Sequence, residues 1–272
     1  MNKIKLICID VDGTLYNDDK NIPEENIRAI QKAHEKGIQI AITTGRMFNY
    51  GKLYGSLLGV PTLTIASNGA FVKYKDQILN HQSISSTDLP FMISAVKDSG
   101  LFAHYNAWNT LLCEGDLGDG NGYVKANGLL PDGDRIEMIV TEDLEKSLRD
   151  TGNILKAIVF SKGDQEALLK LRKVFENHTT LQTVSSSKHN LEIFRKDVSE
   201  AVGIEKLMEH LGIHQEEVMA IGDEENDLPM ISFAGLGIAM GNATQRVKDV
   251  ASYITDTNNE AGVAKAIEKF CL

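Results

Sequence analysis

The stretch Leu6-Ile7-Cys8-Ile9-Asp10-Val11-Asp12-Gly13-Thr14-Leu15 decides the fold, because an apolar run in it breaks off into two carboxylates and a glycine. The run has the length and β-branched content of a buried parallel strand. Asp10 and Asp12 should therefore emerge at the carboxyl end of that strand, where open α/β sheets bind their ligands. Hard carboxylate oxygens favour Mg²⁺ over zinc. By itself, the same pattern is also typical of an acidic turn that closes a strand.

A second acidic cluster follows another apolar run late in the chain. Gly222-Asp223-Glu224-Glu225-Asn226-Asp227 comes directly after Val218–Ile221. Alone, this motif could be an acid-rich cap at the start of a helix. In one parallel sheet, however, the two strand ends can be neighbours, and Asp10, Asp12 and Asp223 could then hold one octahedral Mg²⁺. The two motifs in this order favour a metal site over either structural interpretation.

The surrounding sequence predicts an α/β fold with a doubly wound, mostly parallel, Rossmann-like core. Strand and helix patterns alternate on both sides of a central region. This alternation is typical of βαβ units. Thr44-Gly45 lies between a predicted strand and a helix, where a hydroxyl and exposed N–H groups suit a phosphate. A hairpin is predicted around Lys75-Asp76.

The middle of the chain has a different pattern, in which short strands and a few helices suggest an inserted α+β module. We predict a discontinuous core of residues 1–82 and 187–272, and an inserted domain of residues 83–186. Glu114–Gly133 contains six glycines and is predicted to be a loop that could contain a short helix. The strand Asn190–Phe194 is assigned to the core.

Composition limits the classes of partner. The 272 residues carry a formal net charge of −10, which argues against nucleic acid or an anionic membrane and favours a small molecule. The cysteines Cys8, Cys113 and Cys271 form no disulfide or zinc pattern, so a reducing, cytoplasmic compartment is expected. We see no export signal or transmembrane run. A monomer is expected because there is no coiled-coil pattern.

Six short motifs resemble the haloacid dehalogenase superfamily, specifically Cof-type phosphatases with a large inserted cap of the C2B type. The motifs extend from one end of the chain to the other: DVDGTL at 10–15, TTGR at 43–46, SNGA at 67–70, LEIF at 191–194, GDEEND at 222–227 and GNA at 241–243. The resemblance implies a Mg²⁺-dependent phosphatase that acts on a small phosphorylated metabolite, such as a sugar phosphate or a phosphorylated cofactor. Substrate specificity would belong to the cap.

The same resemblance assigns roles to individual residues. Asp10 would be the nucleophile that forms an aspartyl-phosphate, and Asp12 would be the general acid and base, with its backbone carbonyl also facing the metal. Asp223 would complete the Mg²⁺ site, and Asp227 would orient a basic residue or a metal-bound water. The phosphoryl group would be held by three further residues, namely Thr44, Gly45 and Asn226.

One position departs from the family pattern. The family has a lysine after the Leu-Glu-Ile strand, whereas this chain has Glu200 there. A carboxylate would repel phosphate and weaken transition-state stabilisation. Lys196 is therefore considered as a phosphate-binding replacement, although a solvated lysine is the simpler interpretation. Lys188 and Arg46 are further candidates for the missing cation.

Three other functions are weighed against the phosphatase. A sugar-phosphate mutase would transfer the phosphoryl group to a second sugar hydroxyl instead of water. A non-catalytic or weakly active phosphate-binding protein is kept open by Glu200. A receiver domain also has paired acids after its first strand, but it would be about half this length and its acids would not precede Gly-Thr as they do here.

Overall fold

A computed structural model describes residues 3–115, 117–118 and 122–272. The chain divides into two compact units. The first unit contains the chain up to Arg46 together with Gly51–Asn80 and Ser199–Leu272. The second unit contains Met47–Tyr50 and His81–Val198.

The first unit is built on an eight-stranded sheet. Its strands are β1 (Leu6–Ile9), β2 (Gln39–Thr43), β3 (Leu63–Ala66), β4 (Phe71–Tyr74), β5 (Gln77–His81), β12 (Val218–Gly222), β13 (Leu236–Ala239) and β14 (Tyr253–Ile254). They are ordered β14-β13-β12-β1-β2-β3-β4-β5, and the six strands from β14 to β3 are parallel. Every residue of β1 and β12 is buried. This mostly parallel α/β sheet is the predicted fold class, and β4 and β5 lie on either side of the predicted turn at Lys75-Asp76.

The second unit contains a six-stranded sheet ordered β10-β11-β9-β6-β7-β8. Its strands are β6 (Phe102–Asn106), β7 (Thr110–Cys113), β8 (Glu137–Val140), β9 (Lys156–Phe160), β10 (Leu181–Val184) and β11 (Asn190–Arg195). Alternate residues such as Tyr105, Val159 and Leu191 belong to its apolar core. On β9 and β11, Lys156 and Glu192 form a buried ion pair of 2.6 Å.

Ten helices are described along the chain. They are α1 (Glu24–Glu35), α2 (Phe48–Leu58), α3 (Asp88–Asp98), α4 (Gly122–Leu129), α5 (Leu144–Thr151), α6 (Gln165–Phe175), α7 (Glu200–Leu211), α8 (Leu228–Phe233), α9 (Gln245–Val250) and α10 (Gly262–Phe270). Glu24 and Glu25 occupy the first turn of α1, where they complement the helix dipole. None of the described helices is both long and apolar enough to cross a membrane.

The assignment of the strand at Asn190 to the core is wrong. β11 pairs antiparallel with β9 and β10 in the six-stranded sheet. The physical reason lies in its alternation, because Leu191 and Ile193 are apolar whereas Asn190 and Glu192 are polar. Such alternation is typical of antiparallel strands, while β1 and β12 are apolar throughout, as buried parallel strands are.

The glycine-rich stretch is only partly a loop. Residues 122–129 of it form α4, which agrees with the short helix that the sequence left open. Residues 116 and 119–121 of this prediction lie outside the described residues.

Candidate active site

The carboxyl ends of β1 and β12 lie side by side in the first unit. The two strands pair in parallel with Ile9 opposite Ile221, and the backbone N–H of Asp10 donates to the carbonyl of Ile221 over 3.0 Å. Asp10 and Asp223 therefore leave neighbouring strands at the same edge of the sheet. Both residues are buried, with exposed fractions of 6% and 5%.

Asp10 shares its surroundings with further buried acids. One oxygen each from Asp10, Glu200 and Asp227 lie within 4.8 Å of one another. Burial raises the pKa of Asp10 well above its ordinary value, and the neighbouring carboxyls of Asp227, Asp223, Glu200 and Asp12 raise it further. Repulsion of this kind is relieved by protonation or by a cation.

The loop after β12 wraps around the carboxylate of Asp227. The backbone N–H groups of Asp223 and Glu224 donate to Oδ2 of Asp227 over 2.7 and 3.0 Å, and the amide of Asn226 donates to its Oδ1 over 2.9 Å. Burial raises the pKa of Asp227 to about 6, against the opposing effect of these backbone hydrogen bonds.

Asp223 is enclosed by the turn that follows β1. The hydroxyl of Thr14 donates to Oδ1 of Asp223 over 2.8 Å. Gly13 has a φ of +90°, and a Cβ atom there would lie 2.3 Å from Oδ2 of Asp223, so the turn requires glycine. Burial, followed by the charge of Asp227, raises the pKa of Asp223 to about 8.

The side chain of Asp12 is held by two cations. Its carboxylate accepts hydrogen bonds from Arg46 over 2.8 Å and from Lys20 over 3.1 Å. Burial raises the pKa of Asp12, but Arg46 and then Lys20 bring it below the ordinary value. Asp12 is therefore a carboxylate in this arrangement, and its predicted contact with the metal would be through its backbone carbonyl.

Thr44 and Gly45 lie in the loop after β2. Thr44 is buried, and its hydroxyl oxygen accepts from the backbone N–H of Arg46 over 3.1 Å. The loop is tied to the Ser67-Asn68 turn, because the N–H of Ser67 donates to the carbonyl of Arg46 and that of Asn68 to the carbonyl of Thr44. Because β2 pairs in parallel with β1, this loop lies at the same edge of the sheet as Asp10, where a residue that binds the phosphoryl group would have to lie.

The remaining predicted phosphate ligands differ in their surroundings. Oδ1 of Asn226 is buried and has no hydrogen-bond partner within the described part of the chain. Lys196 belongs to the second unit, is exposed, and donates to the backbone carbonyl of His178 over 3.2 Å. Its role toward phosphate stays a prediction.

Glu200 is placed in the acidic cluster by the start of α7. The hydroxyl of Ser199 caps this helix by accepting from the N–H of Val202. Gly69 packs so closely against this start that a Cβ atom there would lie 2.0 Å from the carbonyl oxygen of Ser199. Glu200, the first helical residue, is only 1% exposed. The carboxylate that replaces the expected lysine is therefore buried beside Asp10 and Asp227.

The donor set of the site fits Mg²⁺. The three acids that the described residues bring together are Asp10, Glu200 and Asp227, which offer hard carboxylate oxygens and no histidine or cysteine ligand. Asp223 is not in this group, and its part in the metal site stays a prediction. The mutual repulsion of the carboxyls at Asp10 is what a divalent cation would neutralise. These residues could hold the ion together with water and a substrate phosphate.

Three hydrogen-bonding residues of the site lie outside the sequence prediction, and one of them is Lys20, which donates to Asp12. Thr14 bonds to Asp223, and the amide of Asn242 donates to the carbonyl of Gly13 over 2.8 Å. Both belong to motifs that carry the resemblance. A hydroxyl directly after an Asp-x-Asp-Gly turn was a usable signal for Thr14, whereas the partner of Asn242 lies 229 residues away and leaves no local signal.

Comparison with known proteins agrees with this geometry. A family model described as haloacid dehalogenase-like hydrolase matches residues 7–267. The chain is 34% identical over 269 residues to 5-amino-6-(5-phospho-D-ribitylamino)uracil phosphatase YcsE of Bacillus subtilis (strain 168), which covers 99% of this chain and 96% of the relative.

Two solved structures extend the agreement to the whole fold. A haloacid dehalogenase-like hydrolase from Bacteroides thetaiotaomicron has a TM-score of 0.81 and 29% identity, and the match covers 98% of this chain and 99% of that one. Another haloacid dehalogenase-like hydrolase, from B. subtilis, has a TM-score of 0.82 and 26% identity, with 97% and 99% covered. The match thus extends over both units and both acidic motifs, and the chain belongs to the haloacid dehalogenase-like hydrolase family.

Proposed function

We propose that this enzyme hydrolyses small phosphomonoesters with the help of Mg²⁺, through an aspartyl-phosphate on Asp10. The observation that carries the proposal is the emergence of Asp10 and Asp223 from paired parallel strands into a buried cluster of carboxyls. Membership of a hydrolase family and similarity to relatives named as phosphatases support it.

Asp10, the backbone carbonyl of Asp12 and Asp223 would hold the ion. When bound, Mg²⁺ offsets the negative charge of the phosphate and of the nearby carboxylates, so that an anionic substrate can approach Asp10. Donors for the phosphoryl oxygens would come from Thr44, Gly45 and the amide of Asn226. Asp227 keeps the loop that carries Asp223 in shape through its backbone hydrogen bonds.

The reaction would proceed in two displacements. A carboxylate oxygen of Asp10 attacks phosphorus, the bond from phosphorus to the ester oxygen breaks, and Asp12 as a general acid protonates the leaving alkoxide. Water then attacks phosphorus and gives its proton to Asp12, and the bond to Asp10 breaks to release inorganic phosphate. Because Arg46 and Lys20 hold Asp12 as a carboxylate, their pairing with it must loosen when substrate binds, and Asp12 must take up a proton from solvent before the first displacement.

For the substrate we propose a small phosphorylated metabolite, either a sugar phosphate or a phosphorylated cofactor. The relative YcsE is named for a phosphate ester that carries a ribityl chain and a uracil ring, which falls between these two classes. We propose that the second unit is the cap that recognises the organic part. The net charge of −10 supports a small-molecule partner over nucleic acid or an anionic membrane, and we propose a cytoplasmic monomer.

The test is phosphate release from p-nitrophenyl phosphate with and without Mg²⁺. The parent should require Mg²⁺, and Asp10→Asn should lose activity by several orders of magnitude because the nucleophile is gone. Asp76→Asn, at the exposed turn between β4 and β5, is the matched control and should behave like the parent. Full activity of Asp10→Asn would contradict the covalent mechanism.

Glu200 supports a second candidate, a phosphate-binding protein with weak or no turnover. A buried carboxylate next to Asp10 opposes the approach of a phosphate anion unless cations compensate for it. In this case phosphate would bind in the presence of Mg²⁺, as measured by calorimetry, but no ester of a metabolite panel would be hydrolysed.

A further inference from the structure

Asn242 connects the two loops that carry the acidic motifs. Its amide nitrogen lies 2.8 Å from the carbonyl oxygen of Gly13 and 3.4 Å from Oδ2 of Asp223. Its Oδ1 accepts a hydrogen bond of 2.9 Å from the backbone N–H of Asn258. Because that N–H can only donate, the amide oxygen must face Asn258, and the NH₂ group must face Gly13 and Asp223.

The segment that carries Asn242 is itself anchored to the loop after β12. The N–H of Met240 donates to the carbonyl of Gly222, and the N–H of Thr244 donates to the carbonyl of Asp223, each over 3.0 Å. On its other side, the N–H of Gly241 donates to the carbonyl of Asp256, also over 3.0 Å. Backbone bonds on both sides therefore hold the Asn242 amide at a constant place relative to Asp223.

Asp223 has a donor near each of its carboxylate oxygens. Thr14 donates to Oδ1 over 2.8 Å, and the amide of Asn242 lies beside Oδ2. Polar groups that hold a metal-binding carboxylate in orientation raise metal affinity, and their loss typically weakens binding about 10-fold to 100-fold.

We propose that Asn242 is a positioning residue, which orients Asp223 toward Mg²⁺ and locks the turn after β1 against it. This inference rests on the proposed function, since it assumes that Asp223 binds the ion. Thr14 acts with Asn242 by donating a hydrogen bond to the other carboxylate oxygen of Asp223, Oδ1. Neither residue contacts the reacting atoms.

The test measures Mg²⁺ binding by calorimetry without any substrate. Asn242→Asp preserves the size of the side chain and an acceptor for Asn258, but it removes the donor and adds a charge beside Asp223. We expect this variant to bind Mg²⁺ about 10-fold to 100-fold more weakly than the parent, and Thr14→Val to weaken it in the same direction. In turnover assays, the Mg²⁺ concentration for half-maximal rate should rise, while kcat at saturating Mg²⁺ stays close to that of the parent.

Asn259→Asp is the matched control. Asn259 lies after β14, bonds to Asp18 in the segment after β1, and makes no hydrogen bond to Asp223 within the described part of the chain, so its variant should keep parental Mg²⁺ affinity. The inference is overturned if Asn242→Asp binds Mg²⁺ as tightly as the parent, or if Asn259→Asp weakens binding equally. A parent that binds no Mg²⁺ overturns the proposed function and this inference together. If the parent binds Mg²⁺ and only the expected difference between Asn242→Asp and Asn259→Asp is missing, the inference alone is overturned.

Discussion

At the scale of single residues, the most unusual feature of the site is Glu200, an acid at the position where the resemblance predicts a lysine. A lysine at this position would place an ammonium among Asp10 and Asp227, whereas the carboxyl adds to their repulsion. Burying this carboxyl beside two other acids costs free energy that a lysine in their midst would not add. The charge at this one position therefore bears directly on how well the site accepts a phosphate dianion.

Glu200→Lys should raise turnover of p-nitrophenyl phosphate at saturating Mg²⁺, by about 10-fold to 100-fold, because a cation is restored beside the transferring phosphoryl group. Glu200→Gln, which removes the charge without adding a cation, should give a smaller rise. The measurement is kcat/KM together with a thermal unfolding curve for each variant.

Glu205→Lys makes the same change of charge at an exposed position of α7 and is the control for net charge. It should leave kcat/KM unchanged. If Glu200→Lys folds normally but hydrolyses p-nitrophenyl phosphate no faster than the parent, the carboxyl of Glu200 does not limit turnover, and the prediction is wrong.

At the scale of elements, α7 is fixed at its start by the Ser67-Asn68-Gly69 turn. Gly69 has a φ of +94° and touches the carbonyl of Ser199, and Gly203, one turn into the helix, packs against the side chain of Ile65. At the other end, Gly212 closes the helix with a φ of +64°, and no atom of the described residues lies in the way of a Cβ atom there. Close packing thus positions the end of the helix that bears Glu200.

Gly69→Ala should destabilise the protein more than Gly212→Ala. Both variants carry the cost of a left-handed backbone, about 1–2 kcal/mol, but only Gly69→Ala forces a methyl group into the Ser199 carbonyl, which adds about 1–3 kcal/mol. Urea unfolding followed by circular dichroism measures the difference. An equal loss of unfolding free energy in the two variants would show that the start of α7 can move away from residue 69 at little cost.

At the scale of the whole molecule, the protein is strongly acidic and also buries several of its acids. The formal net charge is −10, and Asp10, Asp223, Asp227 and Glu200 are all at most 6% exposed. The cost of ionising them depends on pH and on bound cations, so the stability of the chain should report on the state of the site.

Without divalent cations, the melting temperature should fall as pH rises from 6.5 to 8.5. Burial raises the pKa of Asp223 to about 8, so in this range the folded chain retains a proton that the unfolded chain has already lost. A raised pKa of this kind stabilises the folded state at low pH, and the benefit is lost as pH rises through the folded value. Burial lowers the pKa of His81 and His104, so both favour the folded state as pH rises through the unfolded value near 6.5, and this opposing contribution is confined to the lower end of the range.

Differential scanning fluorimetry across this pH range checks the prediction. Asp223→Asn, which has the same shape and does not titrate, should flatten the pH dependence. Added Mg²⁺ should raise the melting temperature of the parent most at the alkaline end, where its ligands are ionised. A parental melting temperature that rises with pH in the absence of metal would contradict the assignment.

The local pattern of the sequence was sufficient to predict the parallel strands of the first unit and the acids at their ends. Apolar runs such as Leu6–Ile9 and Val218–Ile221 can be read as buried parallel strands, since a strand covered on both faces has no polar side. The Asp-x-Asp-Gly-Thr and Gly-Asp motifs placed acids at their ends, and the motifs together indicated the family, which the comparisons confirm. All of this depends on residues close together in the chain.

Only the tertiary structure decided which distant groups meet. β11 joined the second sheet because its neighbours there match its alternating faces, and Lys156 supplies the partner for Glu192. The pairing of Arg46 with Asp12 and the contact of Asn242 with Gly13 join residues 34 and 229 positions apart. Sequence alone specifies the chemistry available at each strand end, but contacts of this range depend on how the strands are ordered and packed, which no local pattern records.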